Sequence, residues 1–377
     1  MQVLAQADSA VGSGSGSALL QYARGQALAR LGRARDAAAA FGAARDQDPQ
    51  PWRATAALNR AIRETAVAEH ALLADVEAEF ERHSAAEGVG WDLMADHLHP
   101  TTAGQLLLAR TVVEALESAP PPVRVSAEGR ARLRTDEAYR QLQGDFPTEE
   151  VAVTAAMADL FGRPPLGQTN GDRGIELARQ VEVLFAALSP PEQLGATRWR
   201  QNQSLGPLVV SVADQLFAAG ELARAAEHYR AARLEEPYTV WSDLWATARR
   251  GRCQELLQGR LDLAQQGEVR QARERALLMA AAPDTDPAFL DFFEGYAAHL
   301  LGDRPRALEK LQRCAAEHLD IQQHFTFDLL ALLSEELVRA GRRDEAERYV
   351  REVSARVGKP EVGRSILRQL RARSGPG

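Results

Sequence analysis

Lysine is nearly missing from this chain of 377 residues: Lys310 and Lys359 are the only two, and arginine supplies the remaining basic residues. Alongside the abundant alanine, that imbalance reads as a compositional bias rather than a site. Cysteine is equally scarce. Cys253 and Cys314 stand far apart in helical contexts, which implies neither a disulfide framework nor a zinc motif. No apolar run approaches the length of a membrane span. The N-terminus has no basic region followed by an apolar core, so no secretion signal is expected and a cytoplasmic chain is the default. A net charge of -7 and a pI near 5.7 argue against general nucleic-acid affinity, and no nucleic-acid partner is expected. What the chain does have is 45% hydrophobic and 26% charged residues, enough for two or three domains or one long repeat array.

Residues 1–17 end in Gly12-Ser13-Gly14-Ser15-Gly16-Ser17, a flexible linker composition. Asp8-Ser9 lies in it without the strand and packed turn that a nucleophilic serine needs. From Ala18 the pattern changes. Gly25, Leu28, Gly32, Ala37, Phe41, Ala44 and Pro49 fall at the positions of a tetratricopeptide unit over 18–50. Small Gly25 and Ala37 let two helices approach, Phe41 fills the gap, Gly32 turns the chain and Pro49 stops the second helix.

The segment 51–119 is expected as a helix over 52–69, a strand-like Leu72–Val76, a helical piece over 77–83, a polar loop, and a closing helix from Gln105 to Leu116. The helix over 52–69 sets Leu58 and Ile62 on one face, with Arg53, Arg60 and Arg63 on the other. The loop reads Asp96-His97-Leu98-His99-Pro100-Thr101-Thr102-Ala103-Gly104. An acid three residues before a histidine can fold back onto one imidazole nitrogen and leave the other free to take a proton. Two other readings stay open: a polar loop that simply caps a helix, and a metal site of Asp96, His97 and His99 with His70 or His83. No metal and no cofactor are expected.

The Asp-x-x-His-Pro block, with the Arg-rich helix, strand and closing helix around it and a repeat in front, resembles a bacterial group of SGNH (GDSL-like) hydrolases that carry tetratricopeptide repeats. The resemblance covers roughly residues 18–190 and implies that Asp96 orients and charge-stabilises His99, the general base and acid. The nucleophilic Ser of that family, and the Gly and Asn of its oxyanion hole, match nothing upstream, so the nucleophile Ser is not found. The resemblance also implies, for a full-length parent, an acylated carbohydrate or lipid substrate.

Pro120-Pro121-Pro122 marks a boundary, and 120–203 is a helical connecting region with helices expected over 126–142, 149–160 and 174–188. Gly167–Gly174 lacks a Lys-Ser/Thr ending and a preceding strand, so a surface loop is expected rather than a phosphate loop. Over 204–360 the repeat pattern returns. It runs through Val209, Val212, Ala213, Leu216, Gly220, Ala225, Tyr229, Ala232 and Pro237, then more loosely through Cys253–Asp286 by way of Leu263, Gly267, Ala272 and Ala276. It continues through Gly295, Gly302, Ala307, Leu311 and Cys314, and through Leu330, Leu333, Leu337, Gly341, Ala346 and Val350. Trp241 and Trp245 read as core fillers in an insert between repeats. Residues 361–377 form a last helix and tail.

The expected fold is mainly α: a tetratricopeptide-type solenoid with a short remnant of an SGNH-type α/β hydrolase domain. In that register Phe289, Phe292, Tyr296 and His299 line a concave groove, with Asp328 and Glu335 on the next repeat. A protein or peptide partner is expected there. The function expected is an interaction scaffold joined to an incomplete ester hydrolase segment. The alternative is part of an O-acyl esterase whose Ser block lies upstream or on another chain.

Overall fold

The computed structural model describes residues 17–49, 53–86, 88–202, 206–235, 240–280, 286–318 and 325–373. The expected linker before Ser17, with Asp8-Ser9, lies outside them, as do Trp52, Pro237, Leu319 and residues 374–377. The chain is mainly helical, with no strand among the described residues. It forms two compact units: residues 1–141 with 151–183, and residues 142–150 with 184–377.

The first unit opens with a helical hairpin, α1 (Ala18–Arg30) and α2 (Ala34–Asp46). Ser17 caps α1 by accepting the Leu20 N–H at 3.3 Å. A Cβ on Gly25 would fall 2.5 Å from the Phe41 ring, so only glycine lets α2 lie this close. Leu28, Ala37 and Ala40 form the core between the two helices. α3 (Ala56–Ala68) starts later than expected because Thr55 caps it, and it has no buried residue, with Leu58 and Ile62 both exposed.

The strand expected over Leu72–Val76 does not form. Residues 71–75 are irregular and Leu72 is exposed. Asp75 accepts the Ala78 N–H at 3.2 Å and so starts α4 (Val76–His83), which takes Val76 as its first residue. An apolar run with no neighbouring strand has no ladder to join, and local capping wins. Arg63 reaches across from α3 to Asp75 (2.7 and 3.1 Å) and Glu77 (2.6 Å), fixing the connection.

After α5 (Thr102–Glu117), the helix expected over 126–142 is two: α6 (Ala127–Ala131) and α7 (Asp136–Gln143). Thr135 breaks them by accepting the Ala138 N–H at 3.2 Å. α8 (Pro147–Phe161) is followed by α9 (Leu166–Ala187), so the loop expected at Gly167–Gly174 is helical, kinked at Asn170. The glycines there serve packing: a Cβ on Gly167 or Gly174 would meet the Gly162 or Phe161 backbone at 3.0–3.1 Å.

In the second unit α10 (Pro190–Arg200) leads into four hairpins. These are α11 (Leu208–Ala218) with α12 (Leu222–Glu235), α13 (Val240–Gln258) with α14 (Leu263–Met279), α15 (Pro287–Leu300) with α16 (Arg304–His318), and α17 (Thr326–Arg339) with α18 (Arg343–Arg356). α19 (Pro360–Arg373) closes the stack. Each helix packs on its sequence neighbour, and the first helix of each hairpin on the first of the next. That arrangement fits an α-helical repeat solenoid. Three of the hairpins, and α1–α2, turn through one hydrogen-bond pattern. The residue after a left-handed glycine donates to a carbonyl five residues back: Arg33 to Leu28, Glu221 to Leu216, Asp303 to Ala298 and Arg342 to Leu337. The hairpin expected from Cys253 begins earlier, at Val240. Trp241 and Trp245 lie on its first helix rather than in an insert, and Trp245 is buried.

Candidate functional site

The Asp-x-x-His loop is built as a small closed turn. Met94 and Pro100 form an isolated antiparallel bridge, the Ala95 N–H donates to the His99 carbonyl (2.8 Å), and the Thr101 N–H donates to the Leu93 carbonyl (2.9 Å). The Thr101 hydroxyl donates to the Asp92 carbonyl (2.9 Å) and accepts the Gly104 N–H (3.2 Å), which ties the loop to the start of α5. Gly104 is required, because a Cβ there would run into the Leu93 carbonyl.

Inside this turn Asp96 is 4% exposed. One of its oxygens accepts the N–H groups of Leu98 (2.6 Å) and His99 (2.7 Å); the other lies 2.7 Å from His99 Nδ1. Burial works against ionisation, but these donors outweigh it and hold the Asp96 carboxyl below the usual range. An ionised carboxylate fixes the proton on Nδ1, which leaves the Nε2 lone pair on a side chain that is 71% exposed. The sequence pattern thus brings Asp96 and His99 together in the orientation a general base needs.

The rest of a nucleophilic site is not beside them. Among the described residues the His99 side chain hydrogen-bonds only with Asp96, and no serine hydroxyl reaches its ring. Acyl transfer needs, beside a general base, a nucleophile for it to deprotonate and donors for the oxyanion. His97, His70 and His83 do not complete a metal set: no group of three or more His, Cys, Asp or Glu side chains suited to an ion occurs among the described residues.

The expected groove residues are placed differently. Phe289, Phe292, Tyr296 and His299 are 3%, 1%, 1% and 1% exposed, so they line no open groove. The rings pack on one another and on neighbouring helices: Phe292 stacks on Phe325 at 4.6 Å between centroids, and Phe289 on Trp241 at 5.0 Å. Burying these rings against each other stabilises the stack more than exposing them to a partner would.

The same helices share a network of arginine, carboxylate and histidine side chains that sequence reasoning missed. Arg249 lies over the faces of Phe217 (4.3 Å) and Trp245 (4.6 Å) and pairs with Asp328 at 2.7 Å. Arg252 pairs with Glu335 and with Glu255 (2.5 Å). The His299 ring sits between Glu336 (2.7 Å from Nδ1) and Glu255 (3.0 Å from Nε2). Arg304 and Arg339 also donate to Glu336, at 2.7 and 2.6 Å. Burial opposes ionisation of Glu255, yet His299 and Arg252 hold its carboxyl down to about 2. These pairs bridge α13 directly to α17, over α15, and so tie the first helices of three hairpins together. The visible signal was the i, i+3 spacing of Arg249, Arg252 and Glu255 on one helix face.

No helix among the described residues is long and apolar enough to cross a membrane. Comparison with protein-family models finds no match, and comparison with curated protein sequences finds none either.

Proposed function

We propose that this chain is a tetratricopeptide-type interaction scaffold joined to an incomplete SGNH-type ester hydrolase segment, and that it carries out no acyl transfer by itself. The observation that supports this is the isolation of the His99 ring, whose only hydrogen-bond partner among the described residues is Asp96. The stacked hairpins with small or turn-forming glycines support the scaffold part. They depart from the family in one respect. The turn glycines Gly220, Gly259, Gly302 and Gly341 recur about every 40 residues, longer than the roughly 34 of a tetratricopeptide unit. Since Phe289, Phe292, Tyr296 and His299 are packed inside, a partner docks on other surfaces of the stack.

A second reading is favoured by the ordered Asp96–His99 pair itself: a working part of an O-acyl esterase whose serine is supplied upstream or by another chain. Turnover of an aryl acetate separates the two. The scaffold reading expects hydrolysis no faster than buffer with this chain. The esterase reading expects turnover once the serine-bearing part is present, and a fall of at least roughly a thousandfold in His99→Ala.

A further inference from the structure

Charge is segregated along this chain. Residues 351–377 hold seven basic and two acidic residues, a net of +5, while the whole chain carries -7, so residues 1–350 carry -12. Much of this basic charge sits on α19. Its inner face is packed: Ile366 and Leu370 are 7% and 6% exposed, and Gly363 lies against Ser354. Its outer face presents Arg364, Arg368 and Arg371, all exposed. Arg371 is 3.5 Å from Glu347; Arg364 and Arg368 have no ion-pair partner among the described residues. These two therefore stand apart from the arginines of the preceding helices, which are largely spent on carboxylates of the stack, as in Arg339–Glu336 and Arg342–Glu345.

We propose that the outer face of α19 docks an acidic helical segment of a partner protein. The spacing carries the choice of partner. Positions 364, 368 and 371 are one stripe of a helix, with rises of about 6 and about 4.5 Å. Carboxylates at i, i+4 and i+7 of a second helix laid alongside repeat those rises, so each guanidinium meets one carboxylate and can bind it with two parallel N–H donors. The stripe is only about 10 Å long. A nucleic acid or an anionic bilayer extends well past it, onto the rest of the same unit, where residues 142–150 and 184–350 carry a net charge of -8 that repels it, whereas a short acidic helix does not. The buried positions of Ile366 and Leu370 also leave no apolar face on α19 for insertion into lipid.

The test is fluorescence anisotropy with the full chain and a labelled alanine-based helical peptide bearing glutamates at i, i+4 and i+7. A peptide of the same composition with the glutamates at i, i+2 and i+5 serves as control. Binding is expected for the first, weaker for the second, and falling as salt rises from about 50 to about 300 mM. The variant R364Q/R368Q/R371Q is expected to lose about tenfold in affinity, the sum of three exposed ion pairs. If its circular-dichroism melt shows misfolding, Arg368→Gln alone replaces it, with an expected loss of about twofold. Four results overturn the proposal: no peptide binding, binding indifferent to the substitutions or to glutamate spacing, and tighter binding of phosphatidylserine vesicles or of oligothymidylate than of the peptide. The fourth is self-association in light scattering that the substitutions abolish, which would make a second copy the occupant. Esterase turnover by the chain would leave all of these results unchanged, so the two proposals fail separately.

Discussion

Arg252 is the side chain on which the inner ion network turns, and its removal has a calculable consequence. It is 6% exposed, pairs with Glu335 and Glu255, and lies 3.1 Å from His299 Nε2. In Arg252→Met the aliphatic volume is largely kept. Glu255 still has His299 at 3.0 Å, while Glu335 loses its Arg252 partner and has Arg339 at 4.0 Å. Breaking this buried pair from one side, with the Glu335 side chain at 10% exposure, is expected to cost about 3–5 kcal/mol. Glu335→Leu alone should cost less, because Arg252 retains Glu255. The double variant Arg252→Met/Glu335→Leu buries no stranded charge of that pair and should recover to within about 1 kcal/mol of wild type. Urea unfolding followed by circular dichroism at neutral pH gives all four corners of the cycle. A loss under about 0.5 kcal/mol in Arg252→Met, or a double variant as unstable as the sum of the singles, would refute the claim that these charges tie α13 to α17.

Three further outcomes are expected. Gly25→Ala drives a Cβ to 2.5 Å from the Phe41 ring and should cost about 1–3 kcal/mol, read as faster amide exchange in α1 and α2; Gly25→Ala/Phe41→Leu should recover most of it. In Asp96→Ala the Leu98 and His99 amides lose their acceptor and should exchange faster, while the Gly104 amide, bonded to Thr101, keeps its protection; equal loss at all three would contradict the loop geometry. Burial, helped by Asp145, raises the Glu149 carboxyl to about 7. A raised acid contributes stability at low pH that is lost as pH climbs from its unfolded value near 4.5 through about 7, so Glu149→Gln should match wild type at pH 4 and melt at higher temperature than wild type at pH 8.

The local features of this chain were legible because their causes are local. Gly32, Gly220, Gly302 and Gly341 each end a helix with a left-handed residue, a choice written in a few neighbouring residues. The Asp96–His99 contact likewise follows from three residues of spacing and a following proline. The apolar run at Leu72–Val76 misled because a strand requires a distant partner, while Asp75 capped α4 from within the run. The aromatic strip of α15 was assigned to a groove for the same kind of reason. What covers Phe289 and Phe292 is Trp241 and Phe325, and neither lies within a helix length of them in sequence. The ion network was hidden for its long reach, since Arg249 and Arg252 find their acids on α17, two hairpins away.

The proposal that this chain carries out no acyl transfer by itself is tested directly by intact-mass analysis after treatment with a fluorophosphonate. An unchanged mass, in wild type and in His99→Ala alike, is the expected result. A single stoichiometric adduct on a serine of the wild type, absent from His99→Ala, would contradict it.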